Sequence, residues 1–287
     1  MLGEFFKNKE FGKINKLFYI IKGEVIMILE KTLEICKFIS VCAGKKIMEI
    51  YNNKDLFSCV EYKHDNSPLT IADKCSNDII INKLKKEFPH YAILSEEEKD
   101  NKSRLNNDYC FVVDPLDGTK EFMKRNGQFT VNIALSYCHR VVMGVIYVPT
   151  TEDLYYASSG IGSYLQQKDG TITKLHVSTE TNINKIRLVM SSSHGCKEMD
   201  ELISKYLLKN FIKMGSSLKG CLVARGDAEV YYRYNPTMEW DTAAMQCIAE
   251  EAGAIFRQMD DSEMLYNREN SLNDKGFYII NDKRNRI

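Results

Sequence analysis

Residues 111–122 read FVVDPLDGTKEF, and this stretch decides how the middle of the chain is interpreted. The apolar run FVV is typical of the end of a buried strand, whereas Pro115 and Gly118 are turn formers. The pattern predicts that the strand breaks here, with Asp114 and Asp117 at its end. Two carboxylates this close repel each other unless a cation joins them, so the stretch raises the question of a cation site.

The composition limits the kind of protein and the kind of partner. With 287 residues, 44% hydrophobic and 27% charged, the chain can bury the core of one large domain or of two fused lobes. Its 39 Lys and Arg residues balance 39 Asp and Glu residues. The whole molecule therefore gives no electrostatic reason to expect a nucleic-acid polymer or a membrane as partner, and any basic site must be local.

Cysteine usage and the N-terminal segment indicate a compartment. The nine cysteines are scattered without a C-x-x-C pair, which favours a reducing environment over a disulfide framework or a zinc site. Charged residues interrupt the first 22 residues every few positions, so no continuous span of membrane length and no secretory signal are predicted. We expect a cytoplasmic protein whose first 22 residues form an extension.

The chain before residue 184 is predicted to be rich in strands and flanked by helices. Apolar spacing predicts helices at about 24–51 and 70–87, with Pro89 ending the second. The strand-like runs YAIL, YCFVV, FTVNIAL, RVVMGVIYV and DLYYAS follow with short breaks. The predicted apolar face of the first helix contains Ile28, Ile35, Phe38, Ile39, Cys42 and Ile50.

From residue 184 onwards the pattern changes to an alternation of helices and strands. Helices are predicted at about 197–208 and 240–251, among the strand-like runs IRLVM, FIKM and AEVYYR. The chain is therefore predicted to consist of an N-terminal extension at 1–22, an α+β subdomain at 23–183 and an α/β subdomain at 184–287.

Acidic residues recur where strands end and helices begin. Glu96 follows the run YAIL, and Asp241 lies in the first turn of the helix at 240–251, beside the positive end of its dipole. With Asp114 and Asp117 they form a set of oxygen ligands without His or Cys, which suits Mg²⁺ completed by water and substrate phosphate. If Asp114 bridges two ions, the site becomes a two-metal clamp for phosphate hydrolysis.

Each of these features also has a structural interpretation. Asp-Pro-Leu-Asp-Gly is a good turn sequence, and Asp241 is an ordinary acid at a helix start. In MGSSLKG, a helix starting after Gly215 would leave N–H groups and two hydroxyls facing an anion, with Lys219 one turn in. Gly-Ser-Ser is, however, also a common helix entry. Only the combination of these features favours a phosphate-handling site.

Several motifs together resemble a known family. EE after a short strand, then DPLDGTKEF, then WDTAA are similar to the lithium-sensitive inositol monophosphatase superfamily of Mg²⁺-dependent phosphatases. Within it, KEF, SPLTIAD, GSSLKGCLVARGDAEVYYR and NPTMEWDTAA resemble the 3'(2'),5'-bisphosphate nucleotidases of the bacterial sulfur-assimilation type. The resemblance runs from about residue 30 to the C-terminus. It implies a mixed α+β and α/β fold, a layered αβαβα sandwich of two subdomains.

The resemblance also implies a metal site. Glu96, Asp114 and the carbonyl of Leu116 would hold one Mg²⁺, while Asp114, Asp117 and Asp241 would hold a second. Two or three Mg²⁺ ions per site are implied. Inhibition by Li⁺ is implied as well, because Li⁺ can occupy a magnesium position.

Further residues match the positions that handle water and substrate in that family. Asp73 and Thr119 match the pair that orients and deprotonates the attacking water. Read without the family, Asp73 is a helix-start acid and Thr119 a turn hydroxyl. Arg233 matches a cation for the distal phosphate. The implied substrate contacts are Gly118, Thr119, Ser191, His194, Gly215, Ser217, Lys219 and Arg233.

The sequence departs from the family pattern at two places. Ser192 stands where the bacterial type commonly has arginine, so one cation near the nucleotide is missing, which affects affinity and selectivity more than catalysis. The extension before residue 23 is poorly matched.

Three functions stay open from the sequence. The first hypothesis is hydrolysis of the 3'-phosphate of 3'-phosphoadenosine 5'-phosphate to AMP and phosphate, with the corresponding phosphosulfate as a second candidate substrate. The second is hydrolysis of inositol mono- or polyphosphates, against which the KEF and GSSLK segments count. The third is a catalytically silent nucleotide- or metal-binding regulator, against which the retained carboxylates count. In each case the partner is a small molecule, and the chain is expected to be a monomer or a homodimer.

Overall fold

The computed structural model describes residues 11–57, 60–62, 68–192 and 195–287. Its α-helices are α1 (Phe11–Asn52), α2 (Lys54–Phe57), α3 (Ile71–Glu87), α4 (Thr119–Met123), α5 (Lys197–Tyr206), α6 (Leu218–Ala224) and α7 (Glu239–Glu251). Its strands are β1 (Val60–Tyr62), β2 (Pro68–Thr70), β3 (Ala92–Ser95), β4 (Tyr109–Asp117), β5 (Thr130–Tyr137), β6 (Arg140–Val148), β7 (Asp153–Ser158), β8 (Gly162–Gln166), β9 (Ile172–Lys174), β10 (Arg187–Ser191), β11 (Asn210–Met214), β12 (Val230–Arg233), β13 (Thr237–Met238), β14 (Ile255–Gln258), β15 (Leu272–Asn273) and β16 (Phe277–Ile280). Two short 3₁₀ helices span Ser103–Asn106 and Lys283–Asn285.

A seven-stranded sheet, in the order β3-β4-β5-β6-β7-β8-β9, forms the larger of the two main sheets. Strands β3 and β4 are parallel, and every later neighbour pair is antiparallel. The five strand-like runs from YAIL to DLYYAS are confirmed as β3 to β7. The two outer strands β8 and β9 were not predicted, since both are short and β9 has no buried residue to create an alternating pattern.

A five-stranded sheet, in the order β11-β10-β12-β16-β14, forms the second main sheet. Strand β10 pairs in parallel with both β11 and β12, whereas β16 is antiparallel to β12 and β14. The predicted runs IRLVM, FIKM and AEVYYR are confirmed as β10, β11 and β12. Two small antiparallel ribbons, β1-β2 and β13-β15, complete the described strands.

Alternating side chains on the two sheets fix the order of the layers. On β4, Phe111 and Val113 pack with α1 and α3, whereas Cys110 and Val112 face the opposite side and pack with α6 and α7. On the second sheet, Val189 faces that same central helical layer, whereas Leu188 packs with α5. The layers therefore run α1 and α3, large sheet, α6 and α7, small sheet, α5. The predicted αβαβα sandwich is confirmed.

Helix α1 differs from its prediction in its length and in its buried face. It is continuous from Phe11 to Asn52, so no helix end marks the predicted boundary at residue 22. Ile28 and Phe38 were predicted to be buried, but they are 56% and 60% exposed. The face that packs on the sheet is instead formed by Leu29, Leu33, Cys36, Ile39, Ala43, Ile47 and Ile50. The division into an extension and two subdomains stays a prediction.

No α-helix among the described residues is long and apolar enough to span a membrane.

Strand β4 does not end at Val113, as the turn residues had suggested. Asp114 still pairs with Asn132 and Asp117 with Thr130, so three steps along β4 oppose two along β5. The extra residue forms a β-bulge, which bends the strand and changes the direction of its side chains. The DPLD segment therefore forms the irregular last part of β4, and both aspartates belong to the sheet.

Candidate active site

The predicted site residues converge on one cavity of about 220 Å³ between the end of β4, the loop before α6 and the start of α7. Asp114, Leu116 and Asp73 lie beneath its surface and are only 1–2% exposed. His194 lies outside the described residues. The predicted residues that line the cavity are Glu96, Asp117, Gly118, Thr119, Ser191, Gly215, Ser217, Lys219, Arg233 and Asp241.

Backbone N–H groups hold one oxygen of each of three aspartates. The N–H of Leu116 donates to Asp114 Oδ1 at 3.1 Å, that of Ser217 to Asp117 Oδ2 at 2.6 Å, and that of Met238 to Asp241 Oδ2 at 2.8 Å. Asp241 occupies the first turn of α7, as predicted, where the helix dipole also favours its negative charge. Each carboxyl is therefore fixed on one side.

Burial and mutual repulsion disfavour the charged state of these carboxyls. Burial is the main cause of the raised pKa of Asp114, followed by the charges of Glu96, Asp117 and Asp241. Burial likewise raises the pKa of Asp241 to about 7, with the charge of Asp117 as the next cause. A folded protein keeps such a cluster at a cost in stability, which marks the place as a candidate functional site.

The donor chemistry of this cluster fits a hard cation. All side-chain donors are carboxylate oxygens, as Mg²⁺ prefers, and a cation would remove the repulsion between them. Among the described residues, however, no group of three or more His, Cys, Asp or Glu side chains is arranged so that it could hold a metal ion. The ligand types therefore match a hard cation, although the described side chains do not stand in a ready-made coordination shell.

Asp73 and Thr119 are brought together from 46 positions apart in the sequence. The Thr119 hydroxyl donates to Asp73 Oδ1 at 3.1 Å. Asp73 Oδ2 accepts the N–H of Thr70 at 2.7 Å, so the predicted helix-start role at α3 is also present. Burial raises the pKa of Asp73 to about 6. The pair has the contact that the resemblance implies.

The backbone N–H groups of the loop before α6 have other hydrogen-bond partners than the sequence had suggested. The N–H of Gly215 donates to Gln128 Oε1 at 2.8 Å, and the N–H of Ser217 is bonded to Asp117. Neither group is therefore oriented toward an anion in the cavity. The hydroxyl of Ser216, by contrast, is buried, and Ser216 lines the cavity; among the described residues this hydroxyl has no hydrogen-bond partner. Ser216 also has a positive φ of 47°, a strained conformation of the kind that clusters at functional sites.

Two cationic side chains, Lys219 and Arg233, line the cavity together with the carboxylates. Lys219 is only 8% exposed; its ammonium donates to the carbonyl of Ser216, and burial lowers its pKa. The guanidinium of Arg233 donates to the carbonyl oxygen of Asn235 at 3.2 Å. Ser191 lines the cavity beside them. The site thus combines acidic and basic side chains in one cavity.

Some lining residues were not among the predicted site residues. Most of them stand inside motifs quoted above, but no site role was assigned to them individually. Met245 and Phe277 lie outside those motifs and have the pattern of core positions, so no local signal singled them out. The missed lining residues are Lys120, Glu121, Ser216, Tyr231, Thr237, Thr242, Met245 and Phe277.

Comparison with known proteins identifies the family. The model of the inositol monophosphatase family matches residues 28–284. The chain is 37% identical over 240 residues to the 3'(2'),5'-bisphosphate nucleotidase CysQ of Salmonella typhimurium, covering 83% of this chain and 94% of that protein. It is 38% identical over 239 residues to the same-named protein of Buchnera aphidicola, covering 82% and 88%.

Solved structures agree with this assignment. The crystal structure of CysQ from Bacteroides thetaiotaomicron, described as a bacterial member of the inositol monophosphatase family, matches with a TM-score of 0.77 and 38% identity, over 88% of this chain and 98% of that one. The inositol monophosphatase of Anabaena sp. PCC 7120 shares the fold, with a TM-score of 0.70 at 23% identity over 88% and 91%. The chain therefore belongs to the inositol monophosphatase family, among the relatives named 3'(2'),5'-bisphosphate nucleotidases.

Proposed function

We propose that the protein is a Mg²⁺-dependent phosphatase that removes the 3'-phosphate of 3'-phosphoadenosine 5'-phosphate, giving AMP and inorganic phosphate. Relatives that are 37% and 38% identical over most of the chain carry the name of this activity. The phosphosulfate form, 3'-phosphoadenosine 5'-phosphosulfate, is a second proposed substrate.

One observation carries the proposal, namely that a single cavity is lined by both carboxylates and cations. Glu96, Asp117 and Asp241 line it, and so do Lys219 and Arg233. A substrate with two phosphate groups has use for both kinds of group. The phosphate to be cleaved would lie by the carboxylates with their metal, while the second phosphate would pair with the ammonium and guanidinium groups.

The proposed metal ligands are Glu96, Asp114, Asp117, Asp241 and the carbonyl of Leu116. When bound, Mg²⁺ supplies positive charge that offsets the charge developing on the phosphoryl oxygens. Hydrogen bonds from backbone N–H groups keep Asp114, Asp117 and Asp241 in place, since one oxygen of each carboxyl accepts such a bond.

The Asp73–Thr119 pair is proposed to orient the attacking water and to remove its proton. The Thr119 hydroxyl gives its hydrogen to Asp73 Oδ1, so its oxygen lone pairs are left to accept a hydrogen bond from water in the cavity. The proton of the water would pass to Thr119 Oγ1 as the hydroxyl proton moves to Asp73. Burial of Asp73 favours this direction, because it makes the carboxylate a stronger base.

The test is phosphate release from 3'-phosphoadenosine 5'-phosphate, with and without Mg²⁺, beside the phosphosulfate form, inositol 1-phosphate and inositol 1,4-bisphosphate at equal concentrations. We expect Mg²⁺-dependent release and a kcat/KM for the nucleotide at least about 100-fold above that for either inositol phosphate, since lost charge and hydrogen-bond contacts cost several kcal/mol.

The other outcomes select the alternatives. Preference for an inositol phosphate would keep the metal site and refute the nucleotide assignment. Absence of phosphate release from every compound, in a protein that still binds Mg²⁺ or nucleotide, would refute the enzyme and leave the silent regulator.

A further inference from the structure

Asp117 is held by a closed set of hydrogen bonds that joins the two main sheets. The N–H and the hydroxyl of Ser217 both donate to Asp117 Oδ2, each at 2.6 Å. The carboxamide of Asn132 donates to the Ser217 hydroxyl oxygen at 2.8 Å and to Asp117 Oδ2 at 3.3 Å. Asn132 and Asp117 belong to the seven-stranded sheet, whereas Ser217 precedes α6.

Asn132 and Ser217 have enough hydrogens for the bonds that they donate to Asp117 and that Asn132 donates to Ser217. An amide nitrogen carries two hydrogens, which serve Ser217 and Asp117. The single hydroxyl hydrogen of Ser217 serves Asp117 at 2.6 Å, and the carbonyl oxygen of Asp241, at 3.2 Å, is a longer second acceptor for it. Every hydrogen bond that described residues donate to the Asp117 carboxyl ends on Oδ2. Oδ1 therefore receives none of them, and it is the oxygen left to meet a cation or a water in the cavity.

Asn132 does not itself line the cavity. The residue is 1% exposed and is absent from the cavity lining. It stands opposite Asp114 on β5, beside the bulge that precedes Asp117. Its side chain therefore acts on the site through its hydrogen bonds to Asp117 and Ser217.

We propose that Asn132 and Ser217 are positioning residues that anchor Asp117 Oδ2 and thereby present Oδ1 to the metal. This inference rests on the proposed function, because it needs a cation at Asp117. It also assigns Ser217 a different role from the one implied by the family resemblance, in which this serine contacts the substrate. Residues that orient a metal ligand usually affect metal affinity about 10–100-fold.

The experiment separates metal binding from substrate binding. Mn²⁺ binding to the full-length protein without substrate is measured from the electron paramagnetic resonance signal of free Mn²⁺. The KM for 3'-phosphoadenosine 5'-phosphate is measured at saturating Mg²⁺. The variants are Asn132→Leu, Ser217→Ala, the conservative Ser217→Thr, and Ser216→Ala as a matched serine control.

We expect Asn132→Leu and Ser217→Ala to weaken Mn²⁺ binding about 10-fold or more, with KM at saturating metal within about twofold of the wild type. Ser217→Thr keeps the hydroxyl and should retain Mn²⁺ affinity. Ser216→Ala should leave Mn²⁺ affinity unchanged, because its hydroxyl makes no hydrogen bond to any carboxylate that the structure describes.

The contrary results are distinguishable. If the wild type binds no Mn²⁺, the metal-dependent function proposed above fails. If the wild type binds Mn²⁺ but Ser217→Ala binds it equally well and has a raised KM, Ser217 is a substrate contact and the positioning role is refuted. Thermal unfolding of each variant verifies folding; should Asn132→Leu not fold, the Ser217 pair still decides the question.

Discussion

Asp114 is a proposed metal ligand whose buried carboxyl lowers the stability of the metal-free protein. It is almost completely buried, and its pKa is raised first by that burial and then by the charges of Glu96 and Asp117. A charge placed so is unfavourable without a compensating cation. Nothing else on β4 requires an acid at this position, since an amide oxygen could equally accept the Leu116 N–H.

Replacement of this carboxyl should therefore separate activity from stability. For Asp114→Asn we expect kcat to fall at least about 100-fold, because several kcal/mol of charge stabilisation are lost. In EDTA the variant should unfold about 2–4 °C above the wild type, because roughly 1 kcal/mol of repulsion disappears. Phosphate release and thermal unfolding are the two measurements.

Asp169→Asn is the matched control, since Asp169 is exposed in the turn between β8 and β9. It should change neither quantity. Turnover by Asp114→Asn near the wild-type rate would show that Asp114 holds no metal, and a lower melting temperature in EDTA would contradict the account of repulsion.

At the scale of secondary structure elements, an ion pair between the half-exposed Arg187 and the buried Glu229 joins the start of β10 to the segment before β12. Glu229 is fully buried and accepts hydrogen bonds from the backbone N–H of Arg187 at 2.6 Å and from its Nε at 3.1 Å. Burial alone would raise the pKa of Glu229, but the hydrogen bonds from Arg187 outweigh it, so the pKa lies below its ordinary value.

Glu229→Gln should lower the free energy of unfolding by about 2–3 kcal/mol at pH 7, because the variant loses the charged acceptor and leaves Arg187 poorly paired. A depressed folded-state pKa stabilises the protein above the unfolded pKa, about 4.3, and this stabilisation is lost as the pH falls through the folded pKa. The difference between variant and wild type should therefore shrink below about pH 4. Urea unfolding at several pH values measures it.

Glu152→Gln serves as the comparison, because the Glu152–Lys168 ion pair is exposed on both sides. Its expected cost is below about 1 kcal/mol. Equal costs for the two variants would mean that burial of Glu229 contributes nothing.

Helix α7 lies unusually close to the large sheet at one glycine. A Cβ on Gly144 of β6 would come within 2.6 Å of the Ala244 carbonyl oxygen and 3.0 Å of its Cα. These are backbone atoms, so the helix would have to move away as a whole. Asp241 lies one turn earlier on the same helix.

Gly144→Ala should therefore destabilise the fold by about 1–3 kcal/mol, through overpacking, and weaken Mn²⁺ binding as well. Gly195→Ala is the control for stability, because no atom of the described residues lies within 4 Å of its added Cβ. Urea unfolding and Mn²⁺ titration are the measurements. Unchanged metal affinity in a destabilised Gly144→Ala variant would show that α7 does not set the position of Asp241.

The strands and helices that were predicted correctly share one property, namely a local pattern. The apolar runs of β4 to β7 and the spacing of α7 are visible in consecutive residues, and so are the motifs around Asp114 and Asp241. The register of α1 was misjudged because its exposed face also carries apolar residues, such as Ile28 and Phe38.

The contacts that could not be predicted are those made between distant segments. Ser217 lies 100 residues from Asp117 and 85 from Asn132, and Gly215 lies 87 from Gln128. Neither Asn132 nor Gln128 stands in a pattern that suggests such a partner. The local sequence suggested that the N–H groups of Gly215 and Ser217 face an anion. In the structure they instead donate to Gln128 and Asp117, partners that the local sequence could not indicate.

At the scale of the whole molecule, the site lies between the two main sheets. Residues 114–119 form the end of β4 and the turn after it, while Ser217 follows β11 of the small sheet and donates two hydrogen bonds to Asp117. A ligand that fills the cavity contacts both segments, since the lining includes Asp117 from one and Ser217 from the other. Ligand binding should therefore stabilise both segments together.

Amide hydrogen exchange followed by mass spectrometry tests this coupling. With Mg²⁺ and AMP at about 100 times their dissociation constants, opening motions that release the ligand cost roughly 2.7 kcal/mol more, so exchange through them should slow about 100-fold. We expect slower exchange in both 114–119 and 215–218. The β8–β9 hairpin, which is outside the cavity lining, should exchange at an unchanged rate. Protection on only one side would mean that the ligand binds to one sheet alone, and the hydrogen bonds between Ser217 and Asp117 would then not couple the two halves.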